Sequence, residues 1–260
     1  MTKVSTKNPN VPVALTIAGS DSGGEAGLQA DLKTFTLLKV HGACAVTCVT
    51  AQNRSTVARL EPCSPSMVRA QLEAVAADFT LSAVKTGMLF SAEIVHEVAA
   101  FFQQARSVPL VVDPVMISTS GRRLLQEDGV VVLQSELLPL ATLVTPNLAE
   151  AEVLTRTKIT TPDELRAAAK NIHLEFGCAA LVKGGHFPDS NESVDFLCSE
   201  DGEWMFSAPR AKVKGLHGTG CTYSAAITAW LARGRPLDHA VKMAKNYITR
   251  TIFTRSQGGV

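Results

Sequence analysis

No apolar run in the 260-residue chain is long enough to cross a bilayer; its hydrophobic stretches are short and broken by Gly, Pro or charge. The opening decapeptide, MTKVSTKNPN, lacks the apolar core of a signal sequence. It reads as a flexible leader (residues 1–10), and a cytoplasmic setting is expected. Net charge is nearly nil: 25 Lys and Arg face 24 Asp and Glu, leaving +1. Nucleic acid and membrane surfaces are therefore not expected partners, since both call for a basic patch or stripe. The six cysteines (Cys44, Cys48, Cys63, Cys178, Cys198 and Cys221) follow no zinc-ligand spacing. A chain of this length needs no disulfide staples, so buried packing thiols are the ordinary expectation. The pattern G-x-x-x-x-G-K-[ST] is missing. The glycine-rich GSDSGGEAG at 19–27 does not match G-x-G-x-x-G, and the second strand ends in TAQN where a ribose-binding acid would stand. A nicotinamide dehydrogenase is thus disfavoured. No repeat, linker or composition break divides residues 11–260, which are expected to form a single domain.

With 46% hydrophobic and 19% charged residues, the chain is expected to be globular. β-branched apolar runs predict strands at VPVALTIA, CAVTCVT, SAVKTGM, VPLVVDPV, ATLVTP and AALVKGG. Helical spacing lies between them, as in GLQADLKTFTLLK, SPSMVRAQLEAVAADF and SAEIVHEVAAFFQQAR, the last with Ser91 as N-cap. TPDELRAAAKNIHLEFG carries Thr161 as N-cap, Pro162 at the first helical position, Glu164 at the third and Gly177 as a stop. Later, SVDFLCS and WMFSAPRAKV flank a turn at Asp201-Gly202 and predict a hairpin. Two final helices are expected from Gly218 and Pro236. Apolar strands alternating with helices predict an α/β fold of three layers, α/β/α, around a mostly parallel central sheet.

In such sheets ligands sit beyond the carboxyl ends of the strands. HGTGCT, at 217–222, opens a helix whose first N–H groups lack internal partners. Gly218 and Gly220 let the backbone approach a ligand closely. With Thr219 and Cys221 they could form an anion hole for a phosphoryl group. Cys221 is either a packed helix-start residue or a catalytic thiol whose pKa the helix end should lower. Asn147 and Glu150 are one helical turn apart, suited to Mg²⁺ or simply to capping. Lys183, at a strand end, can reach a phosphate. Asp113 ends another strand. Asp31 lies on an amphipathic helix, where a carboxylate can simply face solvent.

Jointly, ALTIAGSDSGGEAGLQADLKTF, VTAQN, KTGM, VVDPVM, TPNLAEAE, LVKGGH and HGTGCTYSAA resemble the hydroxymethylpyrimidine/phosphomethylpyrimidine kinase family of thiamine biosynthesis, within the ribokinase-like superfamily. The resemblance covers about residues 12–250. It implies a ribokinase-like fold, a homodimer, and ATP and Mg²⁺. The implied reactions phosphorylate 4-amino-5-hydroxymethyl-2-methylpyrimidine and then its monophosphate. Gly19, Asp31, Gln52, Met88 and Val115 would hold the pyrimidine, with Asp31 and Gln52 bonding the ring edge. Glu150 and Asp113 would bind the metal, and Lys183, Asn147 and Thr219 would contact ATP. Gly218, Thr219, Gly220 and Cys221 would form the catalytic anion hole. Cys221, which stands where superfamily sugar kinases have aspartate, would take the hydroxymethyl proton. The sequence departs from the family pattern at Glu25, a charge either near an incoming monophosphate or in water. It also reads QGGV where the family has a glycine-rich tail with histidine. A pyridoxal or pyridoxine kinase of the same superfamily is the nearest alternative, and a non-catalytic pyrimidine-binding sensor is another. Gln52 and Met88 favour the pyrimidine; Cys221, Lys183 and Glu150 favour catalysis.

Overall fold

In the computed structural model, residues 11–105, 107–118, 121–185, 191–211 and 217–256 are described. The expected leader at 1–10, His186 of LVKGGH and the terminal QGGV lie outside them. Nine strands form one sheet: β1 (Val13–Asp21), β2 (His41–Gln52), β3 (Val57–Pro62), β4 (Ala83–Thr86), β5 (Leu110–Val112), β6 (Leu143–Val144), β7 (Ala179–Gly184), β8 (Glu192–Ser199) and β9 (Gly202–Pro209). Their order is β3-β2-β1-β4-β5-β6-β7-β8-β9. The six from β2 to β7 in that row run parallel; β3 and β8 run opposite to them, and β9 pairs antiparallel with β8.

Strand periodicity explains the layers. In β5, Leu110 and Val112 enter one core and Val111 the other; in β7, Ala180 and Val182 oppose Ala179 and Leu181. The first core is covered by α2 (Pro65–Asp78), α3 (Ala92–Gln104), α4 (Glu127–Val132), α5 (Leu148–Thr155) and α6 (Pro162–Phe176). The second is covered by α1 (Gly27–Leu37), α7 (Thr219–Ala232) and α8 (Leu237–Ser256). The chain goes from β1 outward to β2 and β3, then returns to add β4 on the other side. That reversal opens a crevice at the carboxyl ends of β1 and β4.

Local signals set several boundaries. Thr161 and Glu164 form a reciprocal capping box at the start of α6, and Gly177 ends it at φ 73°. Thr161→Ala should destabilise the protein by about 1 kcal/mol. A urea unfolding midpoint unchanged from wild type would contradict this. Two elements escape the hydrophobic pattern. In β3 only Val57 is buried, and after α4 the chain tightens through a π-helical turn (Leu133–Leu137) and a 3₁₀ turn (Leu138–Leu140).

Candidate active site

The strand ends and the start of α7 surround a cavity of about 780 Å³. Its volume suits a small-molecule site. Gly19, Gln52, Met88 and Val115 line it, as do Asp113, Asn147, Glu150 and Lys183 and the whole segment Gly218, Thr219, Gly220 and Cys221. All but one of the residues singled out in the sequence therefore meet at one place.

Asp31 is the exception. It neither faces solvent nor lines the cavity: it is 0% exposed on α1, beneath the site. Its Oδ2 accepts from Thr16 Oγ1 at 2.7 Å and from the equally buried Lys85 Nζ at 3.0 Å. Burial raises the Asp31 carboxyl above its ordinary value against the pull of Lys85. Burial would lower Lys85, but Asp31, Cys221 and Asp113 together outweigh it and hold the lysine protonated. The expected ring-edge bond from Asp31 is thus corrected to an interior ion pair. Lys85 was missed, although a lysine inside the apolar run SAVKT is a visible anomaly.

The start of α7 has an uncommon geometry. Gly218 is its N-cap at φ 74°, with no side-chain cap. A Cβ there would lie 1.8 Å from the Glu25 carbonyl oxygen, so the substrate-side loop presses directly on the helix entry. Cys221 is partly buried in the first turn of this helix. The lowered thiol pKa expected from the helix end does not hold. Burial pushes the Cys221 thiol up to about 11, and the nearby Lys85 only moderates this.

Asp113 is 3% exposed and engaged on several sides. It accepts from Lys183 Nζ at 3.1 Å, Ser224 Oγ at 2.9 Å and Thr145 Oγ1 at 3.3 Å. Burial would raise its carboxyl; Lys183 and Lys85 hold it below the ordinary value. Lys183 Nζ also lies 3.5 Å from where a Cβ on Gly220 would sit, which brings the ammonium to the mouth of the helix. Asn147 and Glu150 cap α5 reciprocally: Asn147 N donates to Glu150 Oε2 at 2.9 Å, and Glu150 N to Asn147 Oδ1 at 3.0 Å. The capping reading of this pair holds, and the same two residues line the cavity. Burial pushes Glu150 up to about 7 against the pull of Lys183, with Asp113 adding repulsion. Among the described residues no group of three or more His, Cys, Asp or Glu could hold a metal ion. Two carboxylates on one cavity, one of them short of positive charge, fit Mg²⁺ completed by phosphate oxygens and water.

Further polar groups shape the rim. Glu25 is neither loose in water nor unpaired: its carboxylate binds Arg54, which holds it below the ordinary range. Lys245 of α8 donates to Asp195 at 2.7 Å and to Ser193 at 3.1 Å, and all three line the cavity. Lys245 had a signal, as a charge on the buried stripe Ala240, Val241, Ala244 and Ile248. No helix among the described residues is long and apolar enough to cross a membrane.

The family model described as phosphomethylpyrimidine kinase matches residues 21–259. A hydroxymethylpyrimidine/phosphomethylpyrimidine kinase of Haemophilus influenzae is 46% identical over 94% of this chain and 91% of its own. A thiamine biosynthesis bifunctional protein ThiED of Geobacter sulfurreducens is 46% identical over 92% of this chain, which spans only 48% of that longer protein. The crystal structure of phosphomethylpyrimidine kinase from Clostridium difficile 630 superposes with a TM-score of 0.82 at 40% identity, covering 93% of this chain and 99% of that one. An ADP complex of Bacillus subtilis pyridoxal kinase gives 0.83 at 36% identity, covering 92% and 90%. The three-layer fold is thus ribokinase-like. Matched along almost its whole length by the family model and by relatives at 40% identity or more, the chain belongs to the phosphomethylpyrimidine kinase family.

Proposed function

We infer that the protein transfers the γ-phosphoryl group of ATP to the hydroxymethyl oxygen of 4-amino-5-hydroxymethyl-2-methylpyrimidine, and then to the resulting monophosphate, in thiamine biosynthesis. The observation that carries this reading is the placement of Cys221, at the positive end of α7, on the same cavity as Gln52, Met88 and Lys183. Gln52 would bond the ring edge, with Met88, Val115 and the Gly19 backbone packing on the ring. The N–H groups of Thr219, Gly220 and Cys221 point out of the first helical turn, where charge on a phosphoryl group in flight is stabilised. Lys183 adds a fixed positive charge, with Asn147 and Thr219 beside the phosphates. Cys221 sulfur accepts the hydroxyl proton as the oxygen attacks phosphorus. Asp113 and Glu150 would hold Mg²⁺, which when bound neutralises phosphate charge.

The pyridoxal kinase reading has its own support in the likeness to pyridoxal kinase structures. The two readings are separated by incubation with Mg-ATP and each alcohol, following ADP release and resolving mono- from diphosphate. Turnover of pyridoxal without turnover of the hydroxymethylpyrimidine would overturn the first reading. Binding of both ligands without ADP release would favour the sensor.

The metal assignment has a pH signature. Glu150 has a folded pKa of about 7, so it is protonated below that pH and must lose its proton to bind a cation. The half-saturating Mg²⁺ concentration should therefore rise as pH falls through 7, approaching about tenfold per unit well below it. Glu150→Gln should need more Mg²⁺ and show a flatter dependence. Superimposable metal titrations of variant and wild type would remove Glu150 from the site.

A further inference from the structure

Beside the Lys183–Asp113 pair lies a second buried lysine–aspartate pair that has no task in this scheme. Asp195 on β8 and Lys245 on α8 are 2% and 6% exposed. Lys245 Nζ donates to Asp195 Oδ2 at 2.7 Å and to Ser193 Oγ, two residues earlier on the same face of β8, at 3.1 Å. Asp195 Oδ1 accepts the Gly184 N–H at 3.2 Å.

The register of the sheet gives this pair a charged neighbour. β7 and β8 run antiparallel, and Lys183 is directly opposite Asp195. Directly opposed residues share one face of a sheet, with Cβ atoms about 5 Å apart. That face sends Leu181 and Leu197 into the core beneath α7 and α8, and it sends Lys183 and Asp195 to the cavity. Lys183 nevertheless passes over β6 to bond Asp113, beyond β5, at 3.1 Å. The carboxylate one strand away on its other side is taken by Lys245. Burial raises the Asp195 carboxyl against the pull of Lys245. Deprived of Lys245, a carboxylate so buried must take another cation or a proton. Lys183 is the cation set opposite it.

We propose that Lys245 is a positioning residue for phosphoryl transfer: by occupying Asp195 it leaves the Lys183 ammonium on Asp113 and beside the first turn of α7, where the phosphates of ATP would lie. The inference rests on the kinase reading above. Lys245 then acts through Lys183 and needs no contact with the nucleotide.

The test measures dissociation constants of the full chain for ATP and for 4-amino-5-hydroxymethyl-2-methylpyrimidine. Lys245→Met should weaken ATP about tenfold, the scale of one lost charge-assisted hydrogen bond, and leave the pyrimidine unchanged. Lys245→Gln, which brings no charge to Asp195, should do the same if the Met variant fails to fold. Adding Asp195→Asn to either variant should restore ATP binding to within about twofold of wild type, because the amide still accepts from Gly184 but no longer draws an ammonium. In a Lys183→Met background, Lys245→Met should weaken ATP no further, which a merely structural role would not predict. The inference is overturned by a folded Lys245 variant with wild-type ATP affinity, by a defect that Asp195→Asn fails to relieve, or by a further loss once Lys183 is gone. In each case the kinase reading stands. Wild-type protein that binds the pyrimidine but not ATP overturns both.

Discussion

Gly218→Ala should lower kcat by on the order of 10³-fold, the upper end for loss of an anion-hole donor. The reason is steric before it is electrostatic. At φ 74° an L-residue is strained, and the new Cβ would lie 1.8 Å from the Glu25 carbonyl oxygen and 3.1 Å from the Ala26 Cα. Those atoms are backbone and cannot rotate away. Either the 21–26 loop or the entry of α7 must shift, and both belong to the site. Because the displaced groups are the N–H donors of the first turn, the loss should fall on kcat more than on the pyrimidine dissociation constant. A thermal midpoint only modestly lowered, with activity nearly abolished, is the expected pairing. Activity within tenfold of wild type would show that the backbone at Gly218 is not part of the anion hole.

Cys221→Ala should turn over the hydroxymethylpyrimidine on the order of 10²-fold or more slowly, the scale of a lost general base, with ring affinity retained. The pH profile sharpens this. With its thiol at about 11, Cys221 is protonated near neutrality, and the thiolate is on the order of one part in 10⁴ at pH 7. Raising the pH increases that fraction tenfold per unit while it stays well below 11. Wild-type kcat/KM should thus climb with a slope near one between about pH 7 and 9. Cys221→Ala should lack the slope, and Cys221→Asp, ionised throughout that range, should flatten it while keeping a base. An Ala variant with unchanged turnover would remove Cys221 from the mechanism.

Much of the fold was legible because its signals are local. The Thr161–Glu164 box and the Gly177 stop involve residues a few positions apart and stand where expected; the hairpin forms too, with its turn at Glu200-Asp201, one position before the expected Asp201-Gly202. The alternation of apolar strands and helices gave away the layers for the same reason. β3 was not legible, because five of its six residues are not buried and its pairing depends on β2 already being in place. The candidate site was legible as a set of strand ends, since a parallel sheet sends all of them to one edge.

Partnerships across the chain were not. Asp31 was placed on the ligand by resemblance, but Lys85, 54 residues away, holds it inside. Lys245 and Asp195, 50 residues apart, meet in the same way. The thiol of Cys221 obeys burial over the rule for helix ends, because desolvation depends on everything packed around a group and not on its neighbours in sequence. Composition, periodicity and turn chemistry in the sequence determined the class of fold, the strand ends and the residues available to the site. Only the tertiary structure decided which of those residues reach the cavity, which are paired beneath it and in what protonation state they wait. Those outcomes depend on distances and dielectric surroundings that exist only once the chain has packed.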